Sequence, residues 1–360
     1  MKFNFDALFP LPKLLTRPAA GLDISDESIK LIEFFTESGD VRLKQFAEIP
    51  VPGGAIVAGQ IKRPADVAMA LASIRKRYGI FQANVSLPEE QTYVTNVRVA
   101  YAPQTTIREQ IELHLDEYVP LSPAETEFDF ELIGMSKESV DCAVVALPRE
   151  TVLSYVSAFK ESGIEPMAFE IEAQAVARSL LPEHDTGTVM TVDFGKARTG
   201  LAIVSNRRVL FSTTLPFGGR YNTNIVMQME HLDEFKAEEL KRTSGLARTK
   251  GHEELYAMLL SHISVLRDEV NKYLLFWQSH KTADGAEPKP IERVILCGGE
   301  SNLLGFTDYL SATLGLRVVT GNPWTNAFSL ETYIPPLDAP NALRYATAIG
   351  LALRAHITTL

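Results

Sequence analysis

Two stretches far apart in the chain repeat one small unit, and the repetition restricts the fold more than any other feature of the sequence. An apolar strand ends on Asp23, residues 24–27 form a polar turn, and residues 28–33 resume as a second strand. After the Ser38-Gly39-Asp40 turn a third strand runs over 41–49. The same order returns later: a strand ending on Asp193, a turn over 194–198, a strand over 199–204, a turn at Ser205-Asn206 and a strand over 207–215. A buried strand that stops at an Asp before a tight, small-residue turn brings a carboxylate and free backbone N–H groups to one sheet edge. That setting suits a magnesium–phosphate group. Ordinary hairpins also favour Asp, Ser and Gly in their turns for local reasons. The recurrence favours the ligand reading, as does a third turn, where the strand at 293–296 runs through Cys297 into Gly298-Gly299 and a helix is expected from Leu303 onward. Paired glycines let a flat ligand approach the backbone, and a helix start offers unpaired donors.

At 360 residues the chain has room for two lobes, each with its own core. A hydrophobic share of 46% against 22% charged residues marks a globular chain, not a disordered one. A formal charge of −10 argues against the phosphate backbone of DNA or RNA as the main partner, which calls for clustered Lys and Arg. Cys142 and Cys297 both lie in apolar, strand-like surroundings, so they read as small core residues of a reducing compartment. No apolar run approaches the roughly eighteen residues needed to span a bilayer. The first residues lack the apolar core and cleavage site of a signal peptide. A cytoplasmic location is therefore expected. The tail at 1–20 carries Phe3, Phe5, Leu8, Phe9 and Leu11, with Pro10 and Pro12 preventing one long helix, and is expected to dock on the body or on a partner.

The pattern along the chain predicts a first βββαβ unit over 21–87, whose helix opens at Pro64, faces inward with Val67, Leu71, Ile74 and Tyr78, and stops at Gly79. Residues 88–163 read as an inserted α+β subdomain: a strand over 92–99, a helix with the capping box Thr106 to Glu109, strands over 127–133 and 140–146, and a helix from Pro148 burying Val152, Tyr155, Val156 and Phe159 before Gly163. The main sheet resumes at 164–171 with a helix over 173–181, completing the first lobe at 164–185. The second lobe, 186–341, repeats the three-strand unit and inserts helices at about 220–280, including a long helix over 252–279 striped with Leu255, Leu259, Ile263, Leu266, Val270, Tyr273 and Leu274. Residues 282–290 read as a surface loop. A final helix over 342–355, within the closing segment 342–360, presents Ala346, Ala348, Gly350 and Ala352 for close packing.

These pieces, in this order, resemble the actin-like ATPase superfamily, and within it the FtsA/PilM group of division and type IV pilus assembly proteins. Gly21-Leu22-Asp23 with Ser28 to Glu33 resembles the first phosphate motif, Glu170 to Arg178 the first connecting helix, Asp193-Phe194-Gly195 with Thr199 the second phosphate motif, and Leu296 to Gly305 the adenosine motif. Asn322-Pro323-Trp324 and Ala346 to Arg354 are similar to the ending of that group. The resemblance implies a two-lobed actin-like α/β fold, a duplicated ribonuclease H-like βββαβα unit with the α+β subdomain inserted in the first lobe. It implies ATP and Mg2+ as ligands, with Asp23 and Asp193 holding the metal through water and Lys30 reaching back to the phosphates. Ser25, Ser28, Gly195, Lys196, Thr199, Gly218 and Gly219 are assigned with the phosphate turns. Gly298, Gly299, Ser301 and Asn302 are assigned to the adenosine.

Glu238 and Lys241 resemble the Glu-x-x-Lys that packs along the other side of the base; a helical ion pair on a solvated face accounts for them equally well. Glu172 matches the carboxylate that orients the attacking water, should hydrolysis occur. Where the group usually has Gly and small neutral residues, this chain has Ser25, Asp26 and Glu27, and the two added carboxylates would repel a triphosphate unless they point outward or neutralise magnesium and water. Lys196, in place of a small residue, adds positive charge beside the phosphates or is solvated. By resemblance the chain is a nucleotide-dependent adaptor with weak or no ATPase activity. It would recruit the N-terminal cytoplasmic peptide of a PilN-like inner-membrane protein through a groove between the first lobe and the insert, and meet the membrane only through that partner. A small-molecule kinase of the same fold and an FtsA-like membrane-associated polymer are the alternatives. The polymer usually needs a C-terminal amphipathic helix, for which no room is expected after the last core helix.

Overall fold

Alternating apolar side chains bury strand β1 (Ala20–Ile24) on both faces and make it the centre of the first sheet. It pairs antiparallel with β2 (Ser28–Glu37), which pairs with β3 (Asp40–Pro50), and parallel with β6 (Gln82–Leu87), which pairs in turn with β10 (Glu165–Ile171). The second sheet repeats the plan. β11 (Thr188–Phe194) is flanked by β12 (Thr199–Ser205) and β13 (Arg208–Leu215) on one side, and by β14 (Arg293–Cys297) and β15 (Arg317–Thr320) on the other. Asp23 and Asp193 both occupy the penultimate position of their central strand. In register, Asp23 faces Lys30 while Asp193 faces Gly200. The computed structural model describes residues 19–37, 39–100, 106–247, 253–279 and 287–356. The expected docking of the tail, the Ser38 position of the first hairpin, the start of the surface loop at 282–286 and whatever follows His356 lie outside the described residues.

Between β3 and β6 stand a two-residue hairpin, β4 (Ile56–Val57) and β5 (Gln60–Ile61), and helix α1 (Pro64–Tyr78), which opens on proline and stops at Gly79 in the left-handed region, φ 68°. The inserted segment forms its own sheet in the order β7 (Tyr93–Ala100), β9 (Ser139–Pro148), β8 (Thr126–Met135), packed on α2 (Ile107–Leu113) and α3 (Leu115–Tyr118) through Val97, Val99, Ile111, Leu115, Val140 and Val144. The capping box forms: Thr106 Oγ1 accepts the Glu109 N–H at 3.2 Å, and Glu109 Oε2 accepts the Thr106 N–H at 2.7 Å.

Helix α4 (Arg149–Ser162) follows β9, but its apolar face of Tyr155, Ala158 and Phe159 joins the first lobe's core and not that of the insert's sheet. Val156, expected inside, is 37% exposed because it lies at the margin of the buried face. Asn96 Nδ2 of β7 donates to the Leu210 carbonyl of β13 at 2.9 Å, so the insert also leans on the second lobe.

Helix α5 (Glu172–Leu180) closes the first lobe. The second lobe carries α6 (Arg220–Glu230), α7 (Glu234–Ser244), α8 (Glu253–Ser279) and α9 (Phe306–Leu314). The α8 stripe is buried as its spacing predicts except Tyr273, which is half-buried, and Trp277 is added at its end. Two expectations change. Gly298-Gly299 opens a single 3-10 turn over Gly299–Asn302, and the helix expected beyond it, α9, starts at Phe306 and not at Leu303. The final helix is also broken: α10 (Ala339–Ala342), a 3-10 turn over Leu343–Tyr345 and then α11 (Ala346–Leu353).

Helix α11 returns to the first lobe at backbone contact. A Cβ on Gly350 would stand 1.8 Å from the Ala175 carbonyl oxygen of α5, and one on Gly21 would stand 2.0 Å from the Ala348 oxygen. The helix's terminal carbonyls are taken up by side chains, Gly350 O by Arg178 Nη1 and Leu351 O by Asn84 Nδ2, both at 2.9 Å. Among the described residues no helix is long and apolar enough to cross a membrane.

Candidate functional site

The repeated unit ends β1 and β11 at one cleft, of about 520 Å³, which both lobes line. Asp23 is buried; its Oδ1 accepts Ser86 Oγ and its Oδ2 accepts Lys30 Nζ, each at 3.2 Å. Burial works against the Lys30 charge, but Asp23, Glu48 and Asp193 outweigh it and hold the ammonium above its ordinary value. Among the described residues no cation pairs directly with Asp193. Burial, then the Asp23 charge, raises its carboxyl from 3.8 to about 6, with Lys30 and Arg198 opposing. Two facing carboxylates in one partly dry space resist being ionised together, so a divalent cation between them has a strong electrostatic reason to bind.

The third turn passes beside this pair only because it is glycine. Gly298 has φ 85°, and a Cβ there would lie 2.3 Å from Phe194 O and 2.5 Å from Asp193 Oδ1. Gly299 and Asn302 line the cleft beyond it, and Asn302 Nδ2 is anchored on the Pro340 carbonyl at 2.7 Å. Lys241 lines the same wall, but as a buried group: its Nζ contacts Thr223 Oγ1 and Glu238 Oε2 at 2.8 Å each and Glu300 Oε2 at 2.7 Å. The Glu238–Lys241 pair is therefore not a solvated ion pair. Burial pushes the Glu300 carboxyl up, and Lys241 restrains the rise.

Of the residues singled out from sequence, Asp23, Ser25, Ser28, Lys30, Glu172, Asp193, Gly195, Lys196, Glu238, Lys241, Gly298, Gly299 and Asn302 line this cleft, while Thr199, Gly218, Gly219 and Ser301 do not. Those four hold its walls. Thr199 Oγ1 donates to Phe217 O at 2.7 Å, Ser301 Oγ donates to Cys297 O, Gly218 packs on the backbone of residues 196–198, and Gly219 lies against the Glu300 carboxylate. The first turn's hydroxyls are also engaged: Ser25 Oγ donates to Ser28 O at 2.9 Å and Ser28 Oγ to Glu48 Oε1 at 2.8 Å. Nor are the turn amides all free, since Ser25 N–H bonds Ser28 O at 2.9 Å and Gly195 N–H bonds Arg198 O at 3.0 Å. Lys196 pairs with Glu234.

Sequence reasoning gave no role to Arg198. Its guanidinium pairs with Glu172 Oε1 at 2.8 Å, with Glu90, and with Asp26 Oδ1 at 3.7 Å. Burial drives the Glu172 carboxyl well above the ordinary range, and Arg198 is the main opposing influence. The signal was an arginine in the second turn complementing the surplus carboxylate of Asp26 in the first. Glu27 is likewise matched by Arg220 of the second lobe. Phe235, on α7 and 79% exposed, and Arg344, paired with Glu48, are further lining residues without a sequence motif.

The donor set fits a magnesium-bound polyphosphate. Asp23 and Asp193 offer one carboxylate from each lobe, and among the described residues no group of three or more His, Cys, Asp or Glu is placed to hold a metal. An ion here would thus complete its shell with water and phosphate oxygens, as magnesium does.

A family model described as type IV pilus assembly protein PilM matches residues 21–356. Among solved structures, a PilM-PilN type IV pilus biogenesis complex superposes with a TM-score of 0.77 at 24% identity, covering 94% of this chain and 98% of that one. MreB5 of Spiroplasma citri bound to ADP superposes with a TM-score of 0.54 at 12% identity, covering 95% and 99%. The same protein bound to AMPPNP gives 0.51 at 15% identity, covering 93% and 95%. The shared architecture is the two-lobed actin-like fold that the family resemblance implies.

Proposed function

This chain belongs to the type IV pilus assembly PilM family, and from that premise we propose that it is an ATP- and magnesium-binding adaptor that recruits the cytoplasmic N-terminal peptide of a PilN-like inner-membrane protein. The observation that carries the nucleotide half is the convergence of Asp23, Asp193, Lys30 and the Gly298-Gly299 turn on one cleft between duplicated lobes. Asp23 and Asp193 would hold the ion through water, Lys30 the phosphates, and Gly299, Asn302 and the Glu238–Lys241 wall the nucleoside. When bound, magnesium neutralises phosphate charge and orients the terminal phosphoryl group. Glu172 is the residue placed to orient water. It is held by Arg198 in this arrangement, which accords with slow turnover. The structures of MreB5 bound to ADP and AMPPNP support a nucleotide as the ligand class of this fold.

The PilM-PilN complex among the structural matches supports the partner class. We place the peptide at the junction of the first lobe with the 88–163 insert, where α4 packs on β5 and exposes Leu153 and Val156. Apolar anchors with a polar rim are what such a peptide needs. The protein then works at the inner face of the membrane through its partner. Calorimetry with a non-hydrolysable ATP analogue and magnesium tests the nucleotide reading: binding weakened at least about tenfold by Asp23→Ala is expected, and no heat at millimolar analogue would refute it. The peptide half is tested by hydrogen exchange with the partner's tail peptide; protection confined to 220–279 would overturn the placement.

A further inference from the structure

We propose that Arg198 is a latch between the lobes, held by three first-lobe carboxylates and handed over to the terminal phosphate when a nucleotide binds, which releases Glu172. The latch stands on the three ion pairs of Arg198; the handover rests on the nucleotide reading above. The Gly195 N–H to Arg198 O bond closes the second turn and fixes where the arginine's backbone sits. From there one guanidinium reaches three separate first-lobe segments: Asp26 in the β1–β2 turn, Glu90 after β6 and Glu172 at the start of α5. The arginine side chain is only 17% exposed. A planar group with five donors suits such sharing, where an ammonium would not.

Two features favour a poised latch over a simply structural one. Glu90 Oε2 is buried with no hydrogen-bond partner among the described residues, so latching leaves a desolvated acceptor that opening would rehydrate. Arg198 also lines the same cleft as Asp193 and Lys30, whereas Glu90 does not. A phosphate arriving there offers the guanidinium a more highly charged, bidentate partner than any one of the three carboxylates. Asp26 explains how the exchange is relayed outward. Its carboxylate accepts the N–H groups of Ala58 and Gly59 at 2.9 and 3.0 Å, and Tyr155 Oη of α4 donates to Gly59 O at 3.0 Å. The surplus acid of the first turn therefore faces Arg198 and the 58–59 turn, and a change at Arg198 bears on the turn that supports α4.

The position of Glu90 makes the proposal testable, because it belongs to the latch without lining the cleft. In nucleotide-free protein, Glu90→Gln and Arg198→Met should both raise amide exchange over residues 57–60 and 89–91. With the ATP analogue and magnesium, Glu90→Gln should bind about three- to tenfold more tightly than wild type, and Arg198→Met at least about tenfold more weakly. Arg198→Lys should recover part of the binding but not the exchange protection. Unchanged exchange in both variants would overturn the latch even if Arg198→Met proved unstable, since Glu90→Gln is isosteric. Glu90→Gln binding no more tightly than wild type would overturn the handover. Absence of binding by every protein would instead refute the nucleotide reading and the handover with it, while the exchange data on free protein would still decide the latch.

Discussion

Replacing Asp193 by Asn should make the nucleotide-free protein more stable at neutral pH. In the folded chain this carboxyl is raised from 3.8 to about 6 by burial and by the Asp23 charge. Between those pH values the native state keeps a proton that the unfolded chain has lost, so stability falls as pH rises through the window, and the whole cost is in place above about pH 6. The difference corresponds to about 3 kcal/mol, an upper value because the group opens onto the cleft. Asn keeps the shape and cannot ionise. Urea unfolding at intervals from pH 4 to 8 should show Asp193→Asn unfolding at higher urea than wild type by an amount equivalent to about 2–3 kcal/mol at pH 8. The gap should close as the pH falls toward 4. A variant less stable than wild type at pH 8, or a gap that does not depend on pH, would refute the reasoning.

Lys241→Met should destabilise the protein by about 3–5 kcal/mol in urea unfolding, because it strands the buried Glu300 carboxylate against Gly219. Adding Glu300→Gln should recover much of that loss, and additivity of the two changes would show that the residues act apart. Gly350→Ala should cost at least about 2 kcal/mol, since the new Cβ would stand 1.8 Å from a backbone oxygen that belongs to a packed helix; a melting temperature equal to wild type would mean that α11 and α5 slide apart freely.

The two sheets were legible because each is announced by local pattern, a strand that stops on Asp23 or Asp193 before small residues, and because the pattern occurs twice. The capping box at Thr106 and the stripe on α8 were legible for the same reason: their partners lie within a turn or two. What escaped depends on residues brought together from afar. Arg198 meets Glu90, Asp26 and Glu172 only once both lobes have folded, and no spacing in the chain pairs them. The α4 helix shows a milder form of the same limit. Its periodicity gives a buried face but not whose core receives it, so Tyr155 and Phe159 went to the first lobe and Val156 stayed at the surface. The hydroxyls of Thr199 and Ser301 were read by motif position as ligand contacts. Their backbone acceptors, Phe217 O and Cys297 O, are what a sequence pattern does not show.

The return of α11 to the first lobe sets an order of assembly. Asn84 Nδ2 bonds Leu351 O across 267 residues, and Gly21 of the first strand packs on the backbone of the same helix. During synthesis, then, the part of the first sheet that α11 covers, on β1, β2 and β6, waits for its cover until residues 346–353 have left the ribosome. The second lobe, whose central strands and helices lie within 188–320, can complete its own core earlier. The half that emerges first is thus the half that finishes last, and in the interval its apolar sheet is the surface on which a chaperone has most to do.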